Sequence, residues 1–235
     1  MLNFRSTTVV LAWASGFYCG SVASVAQTTQ RVSVSSAGAQ SNGESYAPKI
    51  SVDGRYIAFA SAASNLVSGD TNASDDVFVH DRETGETTRV SVSSTGEEAE
   101  LGCGDPVISS DGRYVAFGCD ASNLVLGDTN GARDVFVHDR KTAQTTRVNI
   151  NSTGQQAENL GSGNPRISSD GRYVAFASRA SNLVPKQAFA ESVVTSGRGR
   201  RGPARTRRCD AGSPGEASPV RRPFSPRCAL ASWPG

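Results

Sequence analysis

Asp134-Val135-Phe136-Val137-His138-Asp139-Arg140 repeats Asp76-Val77-Phe78-Val79-His80-Asp81-Arg82 residue for residue, 58 positions further on. Reading outward, Asp53-Gly54-Arg55-Tyr56 returns at 111–114 and again at 170–173. Ser64-Asn65-Leu66-Val67 returns at 122–125 and 181–184. Thr87-Thr88-Arg89-Val90 returns at 145–148, and Arg31-Val32 falls in the same register. Self-similarity at one fixed period marks a chain built from stacked copies of a single supersecondary unit.

One unit reads as four short strands. The first covers 107–109. Asp111-Gly112 has the signature of a two-residue hairpin turn of the primed type, with Gly supplying positive φ. The second strand covers 114–119, where Val115 and Phe117 alternate with Ala116 and Gly118. Such a large face and a small face suit a sheet packed on both sides. A loop with Asp128, Asn130 and Gly131 leads to a third strand at 134–138 and a fourth at 145–150. No stretch shows helical periodicity. Four short antiparallel strands, repeated, describe the blades of a β-propeller.

The stretch Pro-x-Ile-Ser-x-Asp-Gly-Arg-Tyr-Val-Ala-Phe stands at 106–117 and 165–176, and at 48–59 with Ile57. It resembles the TolB-type, WD-repeat-like β-propeller repeat. Val-Phe-Val-His-Asp-Arg-x-Thr-Gly is similar to that family's third strand and turn, although Ala143 replaces Gly85 in the second copy. The resemblance covers about 28–184. It implies an all-β partial propeller with blades at roughly 47–93, 105–151 and 164–184, the last incomplete. It says little about activity, because such propellers serve binding, scaffolding and the gating of peptidases.

Composition separates the rest of the 235 residues. The net charge is +2, but residues 186–235 carry nine Arg, one Lys and three acids, a net of +7, which leaves −5 on the remainder. Seven of the ten prolines lie at or beyond Pro185. The repeat stops after Val184, where Pro-Lys-Gln-Ala-Phe replaces the expected Leu-Gly-Asp-Thr-Asn. Three readings fit 185–235: out-of-frame translation of a G/C-rich gene, a basic tail of the kind that binds nucleic acid, or a disordered tail without a role. None of them leads to packed structure there, and export disfavours a nucleic-acid partner. About two and a half blades cannot close a ring, so the chain reads as truncated and is expected to expose blade faces and aggregate.

Residues 1–26 read as a secretory signal peptide. Arg5 is the only charge among the first thirty residues, an apolar stretch comes after it, and Ser24-Val25-Ala26 supplies small residues for cleavage. The mature chain would start at Gln27 in a secreted or periplasmic, disulfide-permissive setting. No apolar run is long enough for a membrane span after cleavage.

Cys103 and Cys119 are predicted to form a cross-strand disulfide. Positions paired around the Asp111-Gly112 turn add up to about 222–223, which places these two nearly opposite. Ser45 with Ser61, and Ser162 with Ser178, stand at the same places in the other units. Asp70, Asn72 and Asp76, with Asp128, Asn130 and Asp134, put oxygen side chains at alternate positions before a strand, a pattern that suits Ca²⁺. Asx-turns explain the same residues. No other cofactor is indicated.

His80-Asp81 and His138-Asp139 suggest a catalytic dyad only at first sight, since a residue recurring in each blade belongs to the blade. Arg55, Arg113 and Arg172, with Arg82 and Arg140, could ring an anionic partner or simply pair with neighbouring Asp residues. No nucleophile elbow, phosphate loop or zinc-protease motif occurs. The expected function is an exported, non-catalytic binding or scaffold protein with a protein or cell-envelope ligand. The alternative is the propeller portion of a secreted peptidase or hydrolase whose catalytic domain lies outside this sequence.

Overall fold

Alternation of Val and Phe with Ala and Val produces strands that are buried on both faces. In a computed structural model of the chain, residues 28–158 and 160–184 are described, with the strands at 192–193, 207–208 and 227–232. The expected signal peptide lies outside the described residues. Every element below lies within Arg31–Gly235.

The first blade is β1 (Ser45–Ile50), β2 (Tyr56–Ser61), β3 (Asp76–Asp81) and β4 (Thr87–Arg89), in that order across the sheet. The second is β5 (Cys103–Ile108), β6 (Tyr114–Cys119), β7 (Asp134–Asp139) and β8 (Gln144–Arg147). Both are antiparallel meanders. The third holds β9 (Ser162–Ile167) and β10 (Tyr173–Ser178), followed in the chain by the short pair β11 (Ser192–Val193) and β12 (Arg207–Arg208). The chain is thus an all-β, partial and unclosed β-propeller.

A strand from the tail lies against β10. β13 (Arg227–Ser232) pairs with it from Tyr173↔Ser232 to Ser178↔Arg227. That register is the one by which β3 meets β2 and β7 meets β6. Arg-Cys-Ala-Leu-Ala-Ser thus takes the slot held elsewhere by Asp-Val-Phe-Val-His-Asp. Apart from these strands, the expectation for residues 185–235 falls outside the described residues. Main-chain hydrogen bonding along the open edge of β10 does not need the repeat's own side chains.

The turn after the first strand also differs from expectation. It is not a two-residue primed turn. Ser109 N–H donates to Tyr114 C=O, Gly112 N–H donates to Ser109 C=O, and of the loop residues only Gly112 has positive φ, at 72°. The Ser109 hydroxyl donates to Asp111 at 2.6 Å and accepts from Tyr114 N–H at 3.0 Å. Serine and aspartate together widen the loop to four residues. Between Gly104 and Val107 the register slips at Asp105, whose φ is 53°. Ala47 and Asn164 hold the same bulge in the neighbouring blades.

Packing follows the two-faced pattern. Ala58, Val77 and Val79 of the first blade form one cluster with Val115, Phe117 and Phe136 of the second. Ala116, Val135 and Val137 meet Val174 and Phe176 of the third in the same way. Each fully buried Phe of this kind contributes roughly 1.5–3 kcal/mol of transfer free energy. Backbone bonds join the inner turns: Val52 N–H donates to Ser110 C=O at 3.1 Å, and Ser110 N–H donates to Ser169 C=O at 3.0 Å.

Candidate functional site

The repeated polar residues are held inside the blades. Arg55 grips Asp81 with two parallel bonds, Nε to Oδ1 at 2.9 Å and a terminal nitrogen to Oδ2 at 2.7 Å, and Arg113 grips Asp139 at the same distances. These forks hold both carboxyls down, at about 2. In the third blade Ser232 stands at the register position of those aspartates, and Arg172 lies 3.9 Å from Asp170 instead.

Each histidine has a structural partner. Thr87 donates its hydroxyl proton to Val34 C=O at 2.5 Å, so its oxygen must accept at 2.9 Å from His80 Nδ1, which therefore carries the ring proton. Thr145, Val92 and His138 repeat the arrangement. Burial lowers both imidazoles, His138 to about 4. A buried, neutral ring with an assigned proton holds strands together.

Of the expected cation ligands, the structure brings Asp70 and Asp76 together and adds Glu98. Their ligand atoms lie within 4.8 Å of one another, a spacing that a divalent ion could span. A cation already occupies the centre: one terminal nitrogen of Arg89 lies 2.8 Å from Glu98, 3.2 Å from Asp76 and 3.8 Å from Asp70. Asn72 is not turned to offer oxygen. Its amide nitrogen donates to Asp76, and its oxygen accepts from Ser74 N–H at 2.8 Å in an Asx-turn. In the second blade Arg147 bridges Asp128 at 3.0 Å and Asp134 at 3.1 Å, Asn130 again donates, and Gln156 replaces Glu98. Burial, and then Asp134, push the Asp128 carboxyl up to about 6. Glu98 escapes notice in the sequence because it lies 28 positions from Asp70.

Cys103 and Cys119 are opposed in register and joined by a disulfide. At the equivalent positions Ser45 and Ser61 share a hydrogen bond of 2.9 Å, as do Ser162 and Ser178.

The residues that differ between blades collect at one place, near the start of the inner strands. Tyr46 donates to Asp75 at 2.8 Å, and burial with this acidic partner pushes its hydroxyl up to about 12. Arg133 stands where the first blade has Asp75. It meets Asp120 at 2.7 Å and Asp105 at 3.6 Å. Its guanidinium lies across Gly118, where a Cβ would come within 2.8 Å of Nε. The first and third blades have Ala60 and Ala177 there, so Gly118 is what admits Arg133. Beside it a cleft of about 320 Å³ is lined by Asp105, Arg133, Gly161, Asn164 and the exposed Arg179. Arg179 holds the place of Asp120, a reversal of charge between adjacent blades. Sequence reading missed this rim. The signal was there, as departure from the repeat rather than agreement with it.

No family model and no curated protein matches the chain. Solved structures of similar fold include the tricorn protease, at 19% identity over 58% of this chain and 11% of that one, with a TM-score of 0.39. Others are a TolB from Agrobacterium tumefaciens, at 19% over 60% and 41% with a TM-score of 0.39, and the β-propeller domain of the Trilobed protease from Pyrococcus furiosus, at 14% over 57% and 34% with 0.35. The chain spans between 11% and 41% of these proteins' lengths.

Proposed function

We propose that this chain is an exported, non-catalytic binding module whose contact surface is the blade-specific rim around Arg133. One observation carries the reading. The groups that recur from blade to blade as possible chemistry (His80, His138, Arg89, Arg147, Asp76, Asp134) are committed to partners within or between blades. What remains exposed for recognition is Asp105, Arg133 and Arg179 lining an open cleft, with Asp120 bridged to Arg133 at 2.7 Å beside it. Mixed charge at a concave edge suits a polar protein or cell-envelope ligand better than an apolar small molecule. The charge-reversed pair Arg133→Glu with Arg179→Glu should abolish retention of envelope or extracellular proteins on immobilised chain. Unchanged retention would remove the rim from the reading.

A second reading keeps the module and adds a catalytic domain from outside it, as the propeller portion of a secreted peptidase or hydrolase. Two whole blades and part of a third form only part of a ring, which favours a larger parent. Sequencing the gene from codon 175 and translating all forward frames separates the two. Further blades and a stop codon support the binding module, and a nucleophile elbow supports the hydrolase.

A further inference from the structure

We infer that the turn side of the second blade holds a site for a carboxylate, presented by an acidic segment of a polypeptide partner. The site arises where the second blade departs from the first. In the first blade the Arg55 fork on Asp81 leaves one terminal nitrogen, and Glu83 takes it at 2.7 Å. In the second blade Arg113 makes the same fork on Asp139. Lys141 stands at the place of Glu83, 58 positions on, so the charge there is reversed. Among the described residues no second acid bridges Arg113. The guanidinium that seats a carboxylate is kept, and the blade's own chain supplies none to it.

The groups around that place form a cleft of about 250 Å³, lined by Tyr56, Asp111, Gly112, Arg113, Arg140 and Lys141. Its guanidinium groups are held in position. The ring of Tyr56 lies over the Gly112 turn, so close that a Cβ there would fall 2.1 Å from a ring carbon. Arg140 donates to Gly112 C=O at 2.7 Å and sets its guanidinium 4.3 Å from the Tyr56 centroid. Asp139 fixes Arg113, whose side chain remains 32% exposed, and Lys141 is exposed beside it. Groups fixed before binding lose little freedom when they take a carboxylate. Two acids stand near. Asp139 is engaged in the fork, and Asp111 turns to its own loop, accepting from the Ser109 hydroxyl at 2.6 Å and from Arg113 N–H at 3.0 Å. Three cations thus face two acids, whereas in the first blade Arg55 and Arg82 face Asp53, Asp81 and Glu83.

Size and precedent decide the class of ligand. The cleft is smaller than the pockets of roughly 300–1,000 Å³ that enclose whole small molecules, and it suits one charged side chain. The first blade shows such an occupant, a glutamate. Arg140 and Lys141 follow the end of β7, while Arg133 precedes its start. The two places lie at opposite ends of one strand, so the carboxylate site stands whether or not the Arg133 rim binds.

The test is fluorescence anisotropy of a labelled, capped tetraglutamate peptide with the full chain at low ionic strength, where surface charge is least screened. Lys141→Glu is the variant, since it restores the arrangement with which the first blade already folds. The expected result is saturable binding that Lys141→Glu weakens tenfold or more, with the circular-dichroism spectrum unchanged. A second readout separates this cleft from the basic residues of 186–235. Carbodiimide coupling of the bound peptide should join a glutamate carboxylate to the Lys141 ammonium rather than to Lys49 or Lys186, as mapped by mass spectrometry. No binding, binding indifferent to Lys141→Glu, coupling at Lys49 or Lys186 alone, or binding of polygalacturonate in place of the peptide overturns the inference.

Discussion

Cys103 faces Cys119 at the position where Ser45 faces Ser61 and Ser162 faces Ser178, so one blade closes its inner hairpin by a covalent bond and its neighbours by a hydrogen bond. The backbone register is shared. Only the bond differs.

The double variant Cys103→Ser with Cys119→Ser should therefore fold, forming the serine pair of the adjacent blades. It gives up a cross-link over 16 residues, which constrains the unfolded chain by about 3 kcal/mol, and regains a hydrogen bond of about 1 kcal/mol. A net loss of roughly 2 kcal/mol should appear in urea unfolding. Reductant should lower the wild-type midpoint and leave the variant's alone.

Gly112→Ala and Gly54→Ala impose the same left-handed strain, about 1–2 kcal/mol each. Only Gly112→Ala drives a methyl into a tyrosine ring. Overpacking should add roughly 1–3 kcal/mol to its cost. Unfolding of both variants in dilute solution checks the difference, and equal losses would mean that Tyr56 moves aside freely.

The pH dependence around His138 has a definite sign. Burial, the first cause, lowers its folded-state value to about 4 from an ordinary 6.5, so the unfolded chain binds more protons between these limits. Stability from the neutral ring is complete above pH 6.5 and is lost as pH falls toward 4. A shift of that size corresponds to about 3 kcal/mol, of which about 2 falls between pH 7 and 5. Asp128, raised to about 6, works in the opposite direction, adding stability as it protonates and losing it as pH rises through 6. His138→Asn, which keeps a donor for Thr145, should remove the histidine component alone. The difference between wild type and variant across pH 7 to 5 isolates it.

Arg89 is the counter-charge for Asp70, Asp76 and Glu98. Replacing it by Met strands buried carboxylates and should cost about 3–5 kcal/mol. Millimolar calcium should leave the wild-type melting temperature unchanged and raise that of Arg89→Met. A calcium-dependent rise in the wild type would show that the ion displaces the guanidinium.

Much of the fold was legible because identical side chains play identical parts in successive blades. Alternation of Val115 and Phe117 with Ala116 and Gly118 announced the two packing faces, and the symmetry about Asp111-Gly112 placed Cys103 against Cys119. The turn itself was misread, since the short Asp-Gly signature hid the part played by the Ser109 hydroxyl. The rim around Arg133 was not legible, because Gly104 and Gly118 from two strands of one blade and Gly161 from the loop before β9 converge on it. β13 was hidden for a different reason: it is placed by main-chain pairing, to which a repeat pattern in the side chains is blind.

The hydroxyl of Thr87 reaches back to Val34, and that of Thr145 to Val92, so the segment that enters a blade is fastened by the last strand of that same blade. Each fastening spans 53 residues and needs nothing downstream. A chain emerging from its N-terminus can thus complete one blade before the next has been made. A lesion late in the gene would leave this fastening intact in the blades before it, while uncovering the apolar face that the next blade buries.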